Sequence, residues 1–227
     1  MNKIRLLSQN IISKIAAGEV IERPVYAVKE LIENSIDAGA TSITIHIEES
    51  GLKKITVIDN GEGMSREDLQ QCFKHHTTSK ISSESDLSHI QTLGFRGEAL
   101  SSIASISKMS IKSKSPNDTA GTHVELLEGN VEKVSPIGMP KGTTVIIEKL
   151  FSPVPGRKKF LKSERTEFRH IGELVASTAL AFPHVQFFLS HNGKTIFDLP
   201  GFKPPLTPPY QGENPVLLPS LLLQLSA

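Results

Sequence analysis

The sequence predicts an α+β fold: a two-layer sandwich whose mixed, mostly antiparallel sheet carries helices on one face. Three observations predict it. Two helix-period segments, 8–18 and 24–38, precede a strand pair at 41–49 and 54–59 that turns at Gly51. A run of strand-period segments, 108–115, 121–127, 131–135 and 142–148, follows with turn residues between them. A long helical segment from Ser163 to about Ala181 then leads to a last hairpin, 185–191 and 194–199, around Asn192-Gly193. Elements grouped in this way suit α+β better than alternating β-α-β units.

Residues 8–18 place Ile11, Ile12 and Ile15 on one side of a helix, with Ser8 as a plausible N-cap. The next stretch, PVYAVKELIENSIDAG from Pro24 to Gly39, organises the chain. Pro24 suits the first helical position, where no backbone N–H is needed, and Gly39 suits the left-handed position that ends a helix. Val28, Leu31, Ile32 and Ser35 form a stripe for the core. Glu30, Asn34 and Asp37 lie about one turn apart on another face. A carboxylate and a carboxamide so spaced can serve one site, one taking a proton and the other holding a cation. The competing reading is a solvated polar face.

In 41–49, Ile43, Ile45 and Ile47 alternate with Thr44, His46 and Glu48, as in a half-buried strand. The second strand, 54–59, runs into Asp59-Asn60-Gly61-Glu62-Gly63-Met64. Two glycines spaced by one residue allow tight turning and close approach of a flat ligand to backbone. An aspartate at a strand end can accept a hydrogen bond from an exocyclic amine. A plain Asn-Gly turn is the alternative, but the segment opens onto a helix capped by Ser65, with Asp68 three residues on.

Residues 72–96 are rich in Ser, Thr, His and Lys with weak periodicity, which reads as a lid or a disordered loop. Adjacent His75 and His76 lack helical metal-ligand spacing, and no Cys/His cluster completes a zinc site. Lys80 could reach a phosphate or simply be a surface lysine. Gly94-Phe95-Arg96-Gly97-Glu98-Ala99-Leu100 opens a helix to about Ser107. A glycine-bounded loop feeding a helix offers N–H groups to an anion, although this is neither the P-loop pattern nor the dinucleotide fingerprint.

With 227 residues, 38% hydrophobic and 22% charged, the chain is an ordinary globular protein. A net charge of +1 gives no global reason to expect nucleic acid, so any basic surface is local. Residues 157–169 supply one: Arg157, Lys158, Lys159, Lys162, Arg165 and Arg169. Polyanion contact and a solvated helix face are equally compatible with it, since Glu164, Glu167 and Glu173 could pair with these bases. Cys72 is the only cysteine, which excludes an internal disulfide. The N-terminus has no apolar leader, and the most apolar run, Val216 to Leu225, is interrupted by Pro219 and too short to span a bilayer. A cytoplasmic protein without membrane contact is the expectation. Seven of the fourteen prolines lie from Pro200 onward, where the chain reads as extended and linker-like.

The ordered boxes Glu30 to Asn34, Asp59 to Gly63, Gly94 to Gly97 and Gly142-Thr143 resemble those of the superfamily of gyrase B, HSP90 and the histidine-kinase ATPase domain. Two longer stretches, Ile15 to Pro24 (IAAGEVIERP) and Gly94 to Leu100 (GFRGEAL), resemble in particular the N-terminal ATPase region of the MutL family of DNA mismatch-repair proteins. The resemblance spans roughly residues 4–200 and implies a Bergerat-type ATP-binding fold, with an N-terminal arm at 1–20, an ATPase domain at 21–200 and an off-family tail at 201–227. It implies roles. Glu30 would be the general base. Asn34 would hold Mg²⁺. Asp59 would accept from the adenine amine of ATP, and Gly63 would let the base lie against backbone. Lys80 and Gly94, Phe95, Arg96, Gly97, Glu98, Ala99 and Leu100 would hold the phosphates, and Thr143 would complete the adenine pocket. It also implies DNA contact without sequence reading at Arg157, Lys158, Lys159 and Lys162, a mismatch-recognition partner of the MutS type, and a homodimer formed on ATP binding.

Two departures stand out. The family's Asn-Thr-Pro-Ala-Arg segment reads Pro153-Val154-Pro155-Gly156-Arg157 here. The tail from about Phe202 does not resemble the family, and a truncated or frame-disrupted reading frame is the expectation drawn from it. The competing function is a nucleotide-binding remnant without turnover. A chaperone or topoisomerase subunit is disfavoured by the GFRGEAL stretch.

Overall fold

The computed structural model describes residues 8–74, 77–78, 92–94 and 97–202. Lys80, Phe95, Arg96, most of the expected lid and the tail from 203 lie outside the described residues.

Helix α1 (Gln9–Val20) runs two residues past the expected end. Ser8 holds the extended N-cap conformation without a side-chain cap bond. Helix α2 (Pro24–Asp37) begins with its proline in the first turn and buries Ala27, Val28, Leu31, Ile32 and Ser35. Gly39 follows at φ +68°, a conformation costly for any residue with a Cβ. Strands β1 (Ser42–Glu48) and β2 (Lys54–Asp59) form the expected antiparallel hairpin. The turn between them includes a short 3-10 segment, Glu49–Gly51. Short α3 (Arg66–Leu69) starts at Ser65, whose Oγ accepts from Asp68 N–H at 3.1 Å.

Helix α4 (Ala99–Ser105) is shorter than expected. Strands β3 (Lys108–Lys114), β4 (Gly121–Leu127), β5 (Asn130–Ile137) and β6 (Gly142–Glu148) follow. A four-residue helix α5 (Pro155–Lys158) was not legible in the sequence. It precedes α6 (Glu164–Ala181), capped by Ser163, and the terminal hairpin β7 (Gln186–His191) and β8 (Lys194–Leu199).

The eight strands form one sheet in the order β5-β4-β3-β6-β2-β1-β7-β8. Among the described residues its only parallel pair is β1 with β7, so the sheet is mixed and mostly antiparallel, as expected. Helices α2 and α6 pack together above its inward face, and α4 packs against α1. Lys14 of α1 reaches Glu128 at the β4–β5 turn, 2.6 Å away.

The inward face is built in cross-strand rows. One row runs Ile47, Ile55, Ile147, Met109 and Leu126. The next runs Ile45, Val57, Val145, Ile111 and Val124. All ten side chains are buried, and each contributes about 1.5–3 kcal/mol through burial. The third row departs from this pattern and leads to the site. No helix among the described residues is long and apolar enough to cross a membrane.

Candidate nucleotide site

The third inward row reads Ile43, Asp59, Thr143, Ser113 and Thr122. Four adjacent strands thus place a polar residue where the two rows beside them are apolar. Burying such groups is costly unless each is bonded, and this row is bonded throughout its centre. Asp59 Oδ1 accepts from Gly61 N–H at 2.9 Å and Thr143 N–H at 3.2 Å. Asp59 Oδ2 lies 3.0 Å from Ser35 Oγ, the residue of α2 that reaches the floor. Ser113 Oγ accepts from Met64 N–H at 2.9 Å and lies 2.8 Å from Thr143 Oγ1.

Burial pushes the Asp59 carboxyl above its ordinary value, against the opposing pull of the Gly61, Ser35 and Thr143 hydrogen bonds. The Ser35 hydroxyl has one proton, yet both Leu31 O and Asp59 Oδ2 lie 3.0 Å from its oxygen. An outside N–H donor would therefore relieve a carboxylate that the protein itself satisfies incompletely. That is the chemistry needed to recognise an exocyclic amine.

The segment after Asp59 is shaped for close approach. Gly63 sits at φ +71°, and an added Cβ would run into the Lys114 carbonyl oxygen. Gly61 packs on Ala38 at the end of α2, and Glu62 N–H bonds Ala38 O at 2.9 Å. Asn60 fastens the start of β1 by accepting from Thr41 and Ser42 N–H at 2.8 and 3.0 Å. Gly142, opening β6, fits against the Asp59 carbonyl with no room for a Cβ.

Glu30 and Asn34 lie on α2, both half-buried and one turn apart, outside the stripe that faces the sheet. Asp37 closes the same helix. Its Oδ1 accepts from Leu93 N–H at 3.0 Å and its Oδ2 from Gly94 N–H at 3.1 Å. An acid at a helix C-terminus opposes the macrodipole, and these two donors offset that cost. Asp37 thus fixes where the glycine loop begins, a role the spacing of the sequence did not reveal. Gly97 packs on the Thr77 backbone, with an added Cβ 2.6 Å from the carbonyl oxygen. Glu98 is the N-cap of α4, so Ala99 and Leu100 are in the first turn, whose N–H groups have no partner inside the helix. Glu30 and Asn34 thus lie on α2, which packs on α4, the helix that Glu98, Ala99 and Leu100 begin. Gly94 is held at the end of α2 by Asp37 and Gly97 lies on Thr77, while Asp59 pairs with Thr143 at the end of the sheet with Gly63 beside Gly142.

The basic segment divides. Lys158, Lys159 and Lys162 are exposed, whereas the Arg157 guanidinium packs against Gly18 of α1. Arg169 pairs with Glu173 at 3.5 Å. Glu167, 1% exposed, accepts from Arg23 at 2.8 Å and from Lys162 N–H at 2.8 Å, tying the α1–α2 junction to α6. Burial pushes the Cys72 thiol up to about 12, so it supplies no thiolate at neutral pH.

Residues 22–148 match the family described as histidine kinase-, DNA gyrase B-, and HSP90-like ATPase. The DNA mismatch repair protein MutL of Streptococcus agalactiae is 51% identical over 194 residues, covering 86% of this chain and 30% of the relative. That of Thermodesulfovibrio yellowstonii is 49% identical over 203 residues, covering 89% and 37%. The chain thus spans about a third of the length of these relatives. Among solved structures, the Aquifex aeolicus MutL ATPase domain complexed with ADP superposes with a TM-score of 0.66 at 35% identity, covering 81% of this chain and 66% of that one. The chain belongs to the histidine kinase-, DNA gyrase B- and HSP90-like ATPase family, and its resemblance within that family is to the N-terminal ATPase region of the MutL proteins.

Proposed function

We propose that this chain binds ATP and hydrolyses it, as the nucleotide-driven core of a DNA mismatch-repair protein that couples mismatch recognition to strand processing. The observation that carries the reading is the polar row at the end of an otherwise apolar sheet face, with buried Asp59 at its centre. The donor set fits the ligand. Asp59 offers a carboxylate to the adenine amine, Gly63 and Gly142 let the turn and the start of β6 close against neighbouring backbone beside it, and Thr143 borders the same corner. Glu98, Ala99 and Leu100 begin a helix, Asp37 holds Gly94 beside α2, and Lys80, Phe95 and Arg96 complete the phosphate-binding segment by resemblance.

The Asn34 carboxamide oxygen suits Mg²⁺, a hard cation that takes oxygen ligands. Bound there, the ion would offset phosphate charge. Glu30, one turn away, takes the proton of the attacking water. Positioning and electrostatics supply most of the catalysis in such sites. The matched ATPase region favours this reading over a remnant without turnover.

Lys158, Lys159 and Lys162, exposed together, contact DNA phosphates without reading sequence. Arg157 takes part only if it leaves Gly18. Association of two copies on ATP binding, a partner of the MutS type and a cytoplasmic location complete the proposal, on the strength of the MutL resemblance. A steady-state phosphate-release assay tests it. Turnover that depends on Mg²⁺ and disappears in Glu30→Ala is the expected result; turnover unchanged in that variant overturns the assignment of Glu30.

A further inference from the structure

Ser113 lies on the floor of the site with no role in the function proposed above. It is 1% exposed and stands in register with Thr143 on one side and Thr122 on the other. Its Oγ lies 2.9 Å from Met64 N, 2.8 Å from Thr143 Oγ1 and 3.1 Å from Gly142 O. A hydroxyl has one proton and two acceptor lone pairs. Met64 N–H takes one lone pair. If the proton goes to Gly142 O, Thr143 donates to Ser113 and keeps its own lone pairs for a ligand. If it goes to Thr143, that hydroxyl keeps its proton for use elsewhere. Either way one buried oxygen fixes the Thr143 hydroxyl and pins the Gly61–Met64 turn to β3.

We propose that Ser113 is a positioning residue for base recognition: it holds Thr143 and the turn after Asp59 in place, so that the corner selecting adenine is formed before nucleotide arrives. Preorganisation of this kind lowers the ordering cost of binding. The inference rests on the ATP-binding reading and deepens it. It concerns which base is chosen, not the chemistry at phosphate.

The test is calorimetric titration of the full chain with the Mg²⁺ complexes of non-hydrolysable ATP and GTP analogues, for the native protein, Ser113→Ala and Ser107→Ala. Ser107 is also fully buried, and its hydroxyl donates to the Ile103 carbonyl at 2.6 Å, away from the site. Ser113→Ala is expected to weaken the adenine analogue about tenfold and to leave the guanine analogue nearly unchanged, so that discrimination shrinks. Ser107→Ala is expected to lower the melting temperature without changing discrimination. If Ser113→Ala does not fold, Ser113→Cys keeps the shape with a much weaker donor and is expected to lose discrimination in the same direction. A folded Ser113 variant that keeps native affinity and native discrimination overturns this inference alone. Failure of the folded native chain to bind the adenine analogue overturns both this inference and the function on which it rests.

Discussion

Replacing Asp59 by asparagine should stabilise the nucleotide-free protein while removing its ability to bind ATP. Three partners hold the carboxylate: Gly61, Thr143 and Ser35. Gly61 and Thr143 N–H both donate to Oδ1, so an asparagine must present its carbonyl oxygen there. Its amide nitrogen then faces Ser35 Oγ, 3.0 Å away in the native protein. The Ser35 hydroxyl becomes an acceptor of that N–H and is left free to donate to Leu31 O. A competition for one proton becomes two satisfied hydrogen bonds. Burial also holds the native carboxyl above its ordinary value of 3.8. A raised folded value means that the contribution of this group to stability is complete below the unfolded value and is lost as pH rises through the folded one. At neutral pH Asp59 therefore costs stability, and a neutral amide does not. One net hydrogen bond suggests a gain of about 1 kcal/mol, or about 2–4 °C in melting temperature for a chain of this size. The same substitution turns an N–H toward the adenine amine, so affinity for an ATP analogue should fall at least about a hundredfold. Thermal unfolding from pH 4 to 8, without nucleotide, measures the first effect and calorimetry the second. The stability advantage of Asp59→Asn should grow as pH rises. A variant less stable than native at pH 7.5, or one that binds the analogue with native affinity, would refute the reasoning.

Other perturbations separate the remaining parts. Glu30→Ala should bind the ATP analogue with near-native affinity and lose about 10²- to 10⁴-fold in turnover, read by phosphate release. Asp37→Ala removes the acceptor of the Leu93 and Gly94 N–H groups. It should weaken the ATP analogue about tenfold while leaving adenosine affinity unchanged; equal loss for both ligands would place Asp37 in general stability instead. Arg23→Ala leaves the Glu167 side chain, 2% exposed, without its cation. The cost should be about 2 kcal/mol, below that for a fully buried pair because the Arg23 side chain keeps 23% exposure, and should appear as a melting-temperature drop of about 4–8 °C.

Much of this architecture was written locally in the chain. The alternation of Ile43, Ile45 and Ile47, the Ser65 cap, Pro24 at the start of α2 and Gly39 after its end each act over a few residues, and each stands as expected. Asp59, Gly63 and Thr143 were legible as separate boxes, and the sheet brings them together by pairing β2 with β6. What was not legible depends on long-range register. Ser113 falls within the segment 108–115 that reads as a strand, and only the β3–β6 pairing reveals that it stands beside Thr143. The parallel docking of β7 on β1 and the Arg23–Glu167 pair join residues 144 apart in the chain. Asp37 showed its helical face but not its partners, because those are backbone N–H groups whose position no side-chain pattern encodes. Arg157 counted as one charge among six in the sequence; its packing on Gly18 depends on how α5 meets α1.

The most direct measurement is titration of the native chain with a non-hydrolysable ATP analogue and Mg²⁺, alongside a circular dichroism spectrum showing that the protein is folded. The proposed function predicts saturable one-to-one binding that prefers adenine over guanine and is abolished in Asp59→Asn. A folded native chain that takes up no nucleotide, or one whose binding survives Asp59→Asn unchanged, would contradict it.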